Sequence, residues 1–98
     1  MKVTRIHFVC RDAEHVKHLP EGRFETGFWK VAYESAQTVR VVALHDSRDA
    51  NSYLQGTVVD RRLVAYGDQQ RYVFVVQATD SPYRWTGNGT GEKGYHWE

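Results

Sequence analysis

Two long runs of β-branched and aromatic residues, GTVVDRRLVAY over 56–66 and RYVFVVQAT over 71–79, are separated only by GDQQ. Runs of this kind joined by so short a connection dictate an antiparallel hairpin, with Gly67 and Asp68 at its turn. In the second run Tyr72, Phe74 and Val76 alternate with Val73, Val75 and Gln77, so both sides are apolar near the middle. A flat sheet with one wet face has no need of that pattern. A small barrel does, because it curls the strand and covers it from two directions.

The remaining segments are compatible with such a sheet. Residues 3–10 alternate, with Ile6, Phe8 and Cys10 on one side and Arg5, His7 and Val9 on the other, which predicts a half-buried first strand. Asp12 is placed to cap a short helix through about Leu19, stopped by Pro20 and Gly22. FETGFWKVAYE reads as a strand in which Gly27 marks a bulge or a close backbone approach. TVRVVALHD is a continuous apolar run, as in a strand covered on both faces, and DSRDANS after it is a loop. The expected architecture is therefore mainly β (α+β): a small, strongly curved or closed antiparallel-rich β-barrel with one or two short helices, in a single domain over 1–98.

Charge narrows the choice of partner. Lys and Arg exceed Asp and Glu by one, so a long phosphate-tracking surface is not expected and any nucleic-acid contact is local. Nine of the thirteen cations are Arg, the side chain suited to planar contacts with phosphates and bases. Cys10 is the single cysteine, which excludes an intrachain disulfide and fits a reducing cytoplasm. No apolar run is long enough to cross a bilayer and MKVTRIHFVC lacks a signal-peptide core, so no membrane association is expected.

The segment GNGTGEKGYHW sets flexible backbone against large rings. Residues 89–94, GTGEKG, match the glycine spacing of a dinucleotide fold, but too little chain follows to build the helix that motif requires, and no cofactor is implied. Two readings remain. In one, the loop closes the barrel and buries its aromatic ends. In the other, its backbone amides and Lys93 face a ligand held by Trp85 and Trp97, with Tyr95 beside them.

Trp29 and Trp85 are each either core or a stacking platform, and Arg61, Arg62, Arg71 and Arg84 are either strand-edge charges or phosphate contacts around such a platform. His45, Asp46, Asp49 and Glu92 would suit a hard divalent cation if assembled, though their spacing follows no standard ligand pattern. His7, His15, His18 and His96 have no evident nucleophile to activate.

FWKVA, VRVVALHD, YLQGTVVDRRLV and RYVFVVQA together resemble the strand order of the PUA-like superfamily of small barrels, particularly its EVE, YTH and ASCH branches, over residues 24–79. The resemblance implies that Gly56 opens the strand in which the barrel is reshaped, and that an aromatic cleft accepts a base, often a modified one. By that analogy Trp29, Trp85 and Trp97 form the cage. The glycine- and lysine-containing motif of the ASCH branch is absent, so its amidohydrolase activity is not implied.

The leading expectation is a binding module without catalysis. An unpaired or flipped base enters an aromatic cleft lined by Trp29, Trp85, Lys93, Tyr95 and Trp97, with Arg61, Arg62 and Arg84 on the flanking phosphates. The rivals are a metal-dependent enzyme of nucleic-acid or nucleotide chemistry using Asp46 and Asp49, with or without His45, and an interaction domain that binds a protein partner.

Overall fold

The structure, a computed structural model, describes residues 1–86 and 91–98. Among these residues the strands are β1 (Val3–Val9), β2 (Val16–His18), β3 (Arg23–Trp29), β4 (Val41–His45), β5 (Leu54–Tyr66), β6 (Gln69–Ala78) and β7 (Lys93–Trp97), and the one α-helix is α1 (Tyr33–Thr38). They form one seven-stranded sheet in the order β2-β3-β6-β5-β4-β1-β7. All neighbours are antiparallel except β1 and β4, whose parallel pairing needs the crossover that β2, β3 and α1 supply. Among the described residues no helix is long and apolar enough to cross a membrane.

The predicted hairpin is the backbone of the fold. β5 pairs with β6 from Gly56↔Ala78 to Tyr66↔Gln69, and Gly67 opens the two-residue turn at φ +64°. The sheet curls strongly but does not close, which corrects the expectation of a closed barrel: β2 and β7 remain its edges. The curl brings distant strands together. Phe8 on β1 stacks on Trp29 of β3 at 4.2 Å and 14°, although three strands lie between them in the sheet. Near the same end the Lys93 ammonium on β7 donates to the carbonyl of Lys30, just past β3, at 2.6 Å.

Inside the curl lie Ile6, Phe8, Phe24, Val42, Leu44, Phe74 and Val76, all essentially inaccessible, with Trp29 and Tyr72 at one end. Six residues are too few for an independent helix, so α1 depends on packing. Ala36 is buried in the core, the Thr38 hydroxyl donates to the Val3 carbonyl at 2.6 Å, and Arg61 donates to the carbonyls of Gln37 and Val39, both at 3.2 Å. That last contact satisfies orphan groups at the helix C-terminus.

Two local readings are corrected. Residues 12–19 are not helical; a 3-10 turn at Arg11–Ala13 leads into the edge strand β2, where Val16 pairs with Thr26. Nor is β1 half-buried: His7 and Val9 are covered as well as Ile6 and Phe8. The cover is an extended strap, residues 79–86, that leaves β6 and crosses the outer face of β1 and β4. Ser52 anchors it twice, with its amide donating to the Tyr83 carbonyl at 2.9 Å and its hydroxyl accepting from the Tyr83 amide at 2.8 Å.

Gly56 and Gly27 are needed for close approach. A Cβ on Gly56 would sit 2.0 Å from the Gln77 carbonyl oxygen, so β5 and β6 cannot cross there with any side chain present. At Gly27 a Cβ would meet Val73 Cγ2 at 2.7 Å, and the β3–β6 register shifts between Thr26 and Trp29, which is the predicted bulge. Gly56→Ala is expected to lower unfolding stability by at least ~3 kcal/mol, because backbone rather than a movable side chain must yield. Chemical denaturation followed by far-UV circular dichroism measures this.

Candidate functional site

The bulge in β3 has a directional consequence. Thr26 and Trp29 both point into the core, where the indole N–H donates to the Thr26 hydroxyl at 3.0 Å, and the inserted residue Phe28 is left facing outward. Its ring is 43% exposed and stacks on Tyr66, 49% exposed, at the tip of the β5–β6 hairpin. The ring centroids are 5.0 Å apart and the planes 16° from parallel. Two large rings left open to solvent side by side form a platform, whereas scattered exposed apolar residues are ordinary.

Beside this platform lies a cleft of about 310 Å³ lined by His15, Phe28, Trp29, Lys30, Tyr66, Arg71, Glu92 and Lys93. The Arg71 guanidinium carbon sits 5.6 Å from the Tyr66 ring centroid, within cation–π range. Burial, then the nearby Lys30 and Arg71 charges, lowers the pKa of Lys93. Three cations therefore share the cleft with one acid, and that acid, Glu92, lies 3.4 Å from Arg11 in an exposed pair. An aromatic floor with a net positive wall suits a flat anionic ligand.

Of the five residues expected from the sequence to line a ligand cleft, Trp29 and Lys93 meet here. The other three lie elsewhere, which corrects the idea of a common cage. Tyr95 packs against the core from β7, and burial raises its pKa. Trp97, 44% exposed, lines a separate hollow with Met1 and α1. Trp85 lies on the strap, on the far face of β1 from Trp29, and its seat is Gly94, where a Cβ would approach the indole Nε1 at 2.8 Å. The glycine loop at Gly87, Asn88, Gly89 and Thr90, with the first two residues of the GTGEKG motif, lies outside the described residues.

The proposed phosphate-binding arginines do not converge either. Arg61 is committed to α1, Arg62 pairs with Glu25 at 3.0 Å, and Arg84 is exposed on the strap. Arg71 is the arginine that reaches an aromatic cleft. Phe28 and Tyr66 were not singled out as binding residues. The signal for Phe28 was present in Gly27: a bulge in an aromatic strand reverses the side on which the next ring emerges.

A second cluster lies under the strap. The Nδ1 of His45 is 2.8 Å from the Ala50 carbonyl, which can only accept, so His45 carries its proton there and its Nε2 is an acceptor. His7 Nδ1, 2.8 Å away, must then donate to it. The remaining nitrogen, His7 Nε2, accepts from Arg5 Nε at 3.1 Å and from the Thr86 hydroxyl at 3.2 Å. Every ring nitrogen is paired with both imidazoles neutral. Both His45 nitrogens are thereby committed to Ala50 and His7, and among the described residues no group of three metal-ligating side chains assembles. Trp85 packs on both imidazoles, at 5.5 and 5.0 Å, and Arg5 lies 4.7 Å over the Tyr83 ring.

Burial, with His45, Arg5 and His96 adding to it, holds the pKa of His7 at about 3; burial lowers that of His45 too, against the opposing Ala50 hydrogen bond. Both groups bind protons more readily when unfolded. Their contribution to stability is complete above the unfolded value near 6.5 and is lost as pH falls toward the folded values. Stability should drop between about pH 6.5 and 5, by at most ~1.4 kcal/mol per pH unit for each histidine, before most carboxylates titrate. Urea denaturation across that window should show the slope, and His7→Asn should remove about half of it. A flat profile in the wild-type protein would contradict the assignment.

Comparison of the chain with protein-family models, curated proteins and solved structures finds no match.

Proposed function

We propose that the protein is a binding module that receives an unpaired nucleobase, ordinary or modified, on the Phe28–Tyr66 platform. The observation that carries the reading is the pair itself: two stacked, half-exposed rings at the lip of a cleft whose other wall is cationic. Every base has a π-face, and stacking on an aromatic side chain contributes about 1 to 3 kcal/mol per base. The cleft volume of about 310 Å³ is at the small end for ligand sites, room for one nucleotide and none for a duplex.

A paired base offers no free face, so the substrate class is single-stranded or carries a flipped base. A net charge of +1 gives little long-range attraction to a polyanion, and binding then depends on contacts inside the cleft. The reading agrees in kind with the base-accepting clefts implied by the PUA-like resemblance, but it uses Phe28 and Tyr66 with Trp29 and Lys93 in place of three tryptophans.

Titration with short single-stranded oligonucleotides, with and without modified bases, is expected to change the intrinsic fluorescence. Phe28→Ala and Tyr66→Ala remove surface rings and should each weaken binding roughly 5- to 100-fold with little loss of stability. Unchanged affinity in both variants, or no binding to any strand, would remove the reading.

A further inference from the structure

The cationic wall of the cleft has a chemistry separate from the platform. Lys93 is held there by its 2.6 Å hydrogen bond to the Lys30 carbonyl, with the Lys30 and Arg71 charges close enough to act on it. Gathering like charges at a partly buried place is unfavourable unless an anion completes the group. Arg71 gives the independent sign. One terminal nitrogen donates to Gln69 Oε1 at 2.8 Å, and its Nε is buried with no hydrogen-bond partner among the described residues. That Nε, like the Nε of Arg61, is covered, so what Arg71 offers an anion is the rest of its guanidinium beside Tyr66 in the cleft, whose geometry matches phosphate oxygens two at a time.

We propose that Arg71 and Lys93, with Lys30 beside them, form a phosphate subsite, so that the cleft takes a phosphorylated nucleoside rather than a bare base. The proposal rests on the stacking reading for the position of the base. Arg71 flanks the Tyr66 ring, so a base stacked on the platform has its phosphate within reach of the same guanidinium. The phosphate comes either from a free nucleotide or from a strand, and the chemistry of the subsite is the same for both.

The test is calorimetric titration of the full chain, at one ionic strength, with three probes: a nucleoside, its 5′-monophosphate, and a short single strand of the same base. The monophosphate should bind at least ~10-fold tighter than the nucleoside, as expected for charge-assisted hydrogen bonds. Arg71→Gln and Lys93→Met should each abolish most of that preference, lowering monophosphate affinity by a larger factor than nucleoside affinity, and Arg71→Lys should restore part of it. Thermal melts confirm that each variant is folded.

Tighter binding of the strand than of the monophosphate identifies a nucleic-acid ligand, and the reverse identifies a free nucleotide. Equal affinity for nucleoside and monophosphate, or a preference that survives both Arg71→Gln and Lys93→Met, overturns the subsite. Strand binding that depends on Phe28 and Tyr66 but not on Arg71 or Lys93 leaves the platform standing without the subsite. Monophosphate binding that ignores Phe28 and Tyr66 does the opposite.

Discussion

The contact on which the architecture depends is the stack of Phe8 on Trp29 across the inside of the curled sheet. Each ring removes about 150 to 250 Å² from water, and together they contribute on the order of 10 kcal/mol of gross burial energy. A flat sheet would hold them four strands apart. Burying both requires the curl, the close crossing at Gly56 and the bulge at Gly27. The same bulge that sends Trp29 inward sends Phe28 outward, so a single inserted residue builds the wall of the core and the floor of the cleft.

The outer face solves a different problem. β1 and β4 are sealed there by the strap, and what lies beneath is not wholly apolar: two imidazoles, an arginine and a hydroxyl share one directional chain of hydrogen bonds ending on the Ala50 carbonyl. Both imidazoles are fully paired, and such a network specifies one arrangement more sharply than apolar packing does, although among the described residues the neighbouring Trp85 indole N–H finds no acceptor. The strap cannot slide along β1 without breaking the Ser52 bonds and unseating Trp85 from Gly94. The glycine before the terminal rings thus has a steric reason: it leaves room for an indole.

What was legible in the sequence follows from how local each signal is. The β5–β6 hairpin and the doubly covered β4 were readable because alternation and turn chemistry are written in neighbouring residues. Residues 12–19 were misread because polar capping residues and two spaced apolar ones fit a helix as well as an edge strand, and pairing of Val16 with Thr26 decided the matter. Trp29 and Lys93, picked out in the sequence, line the same cleft; Phe28 and Tyr66 were not picked out, since their meeting depends on a bulge and a hairpin tip 38 positions apart coming into register. The histidine pair was invisible for the same reason, His7 and His45 being neighbours only through the parallel β1–β4 register, where Val9 pairs with His45 and His7 with Ala43. Arg61 and Arg62 illustrate the opposite failure: adjacent in sequence, they face opposite sides of a strand and serve unrelated partners.

Strand β1 has no partner close to it along the chain: Arg5 pairs with Val41 on one side and with His96 on the other. The hairpin, by contrast, closes over two residues. Loop closure makes short-range pairings fast and distant ones slow, which orders assembly from the hairpin outward and leaves β1, with β7 that pairs on it, to dock late. Until it docks, IHFVC is an uncovered sticky segment, and the kinetic hazard of this fold is self-association by its opening strand.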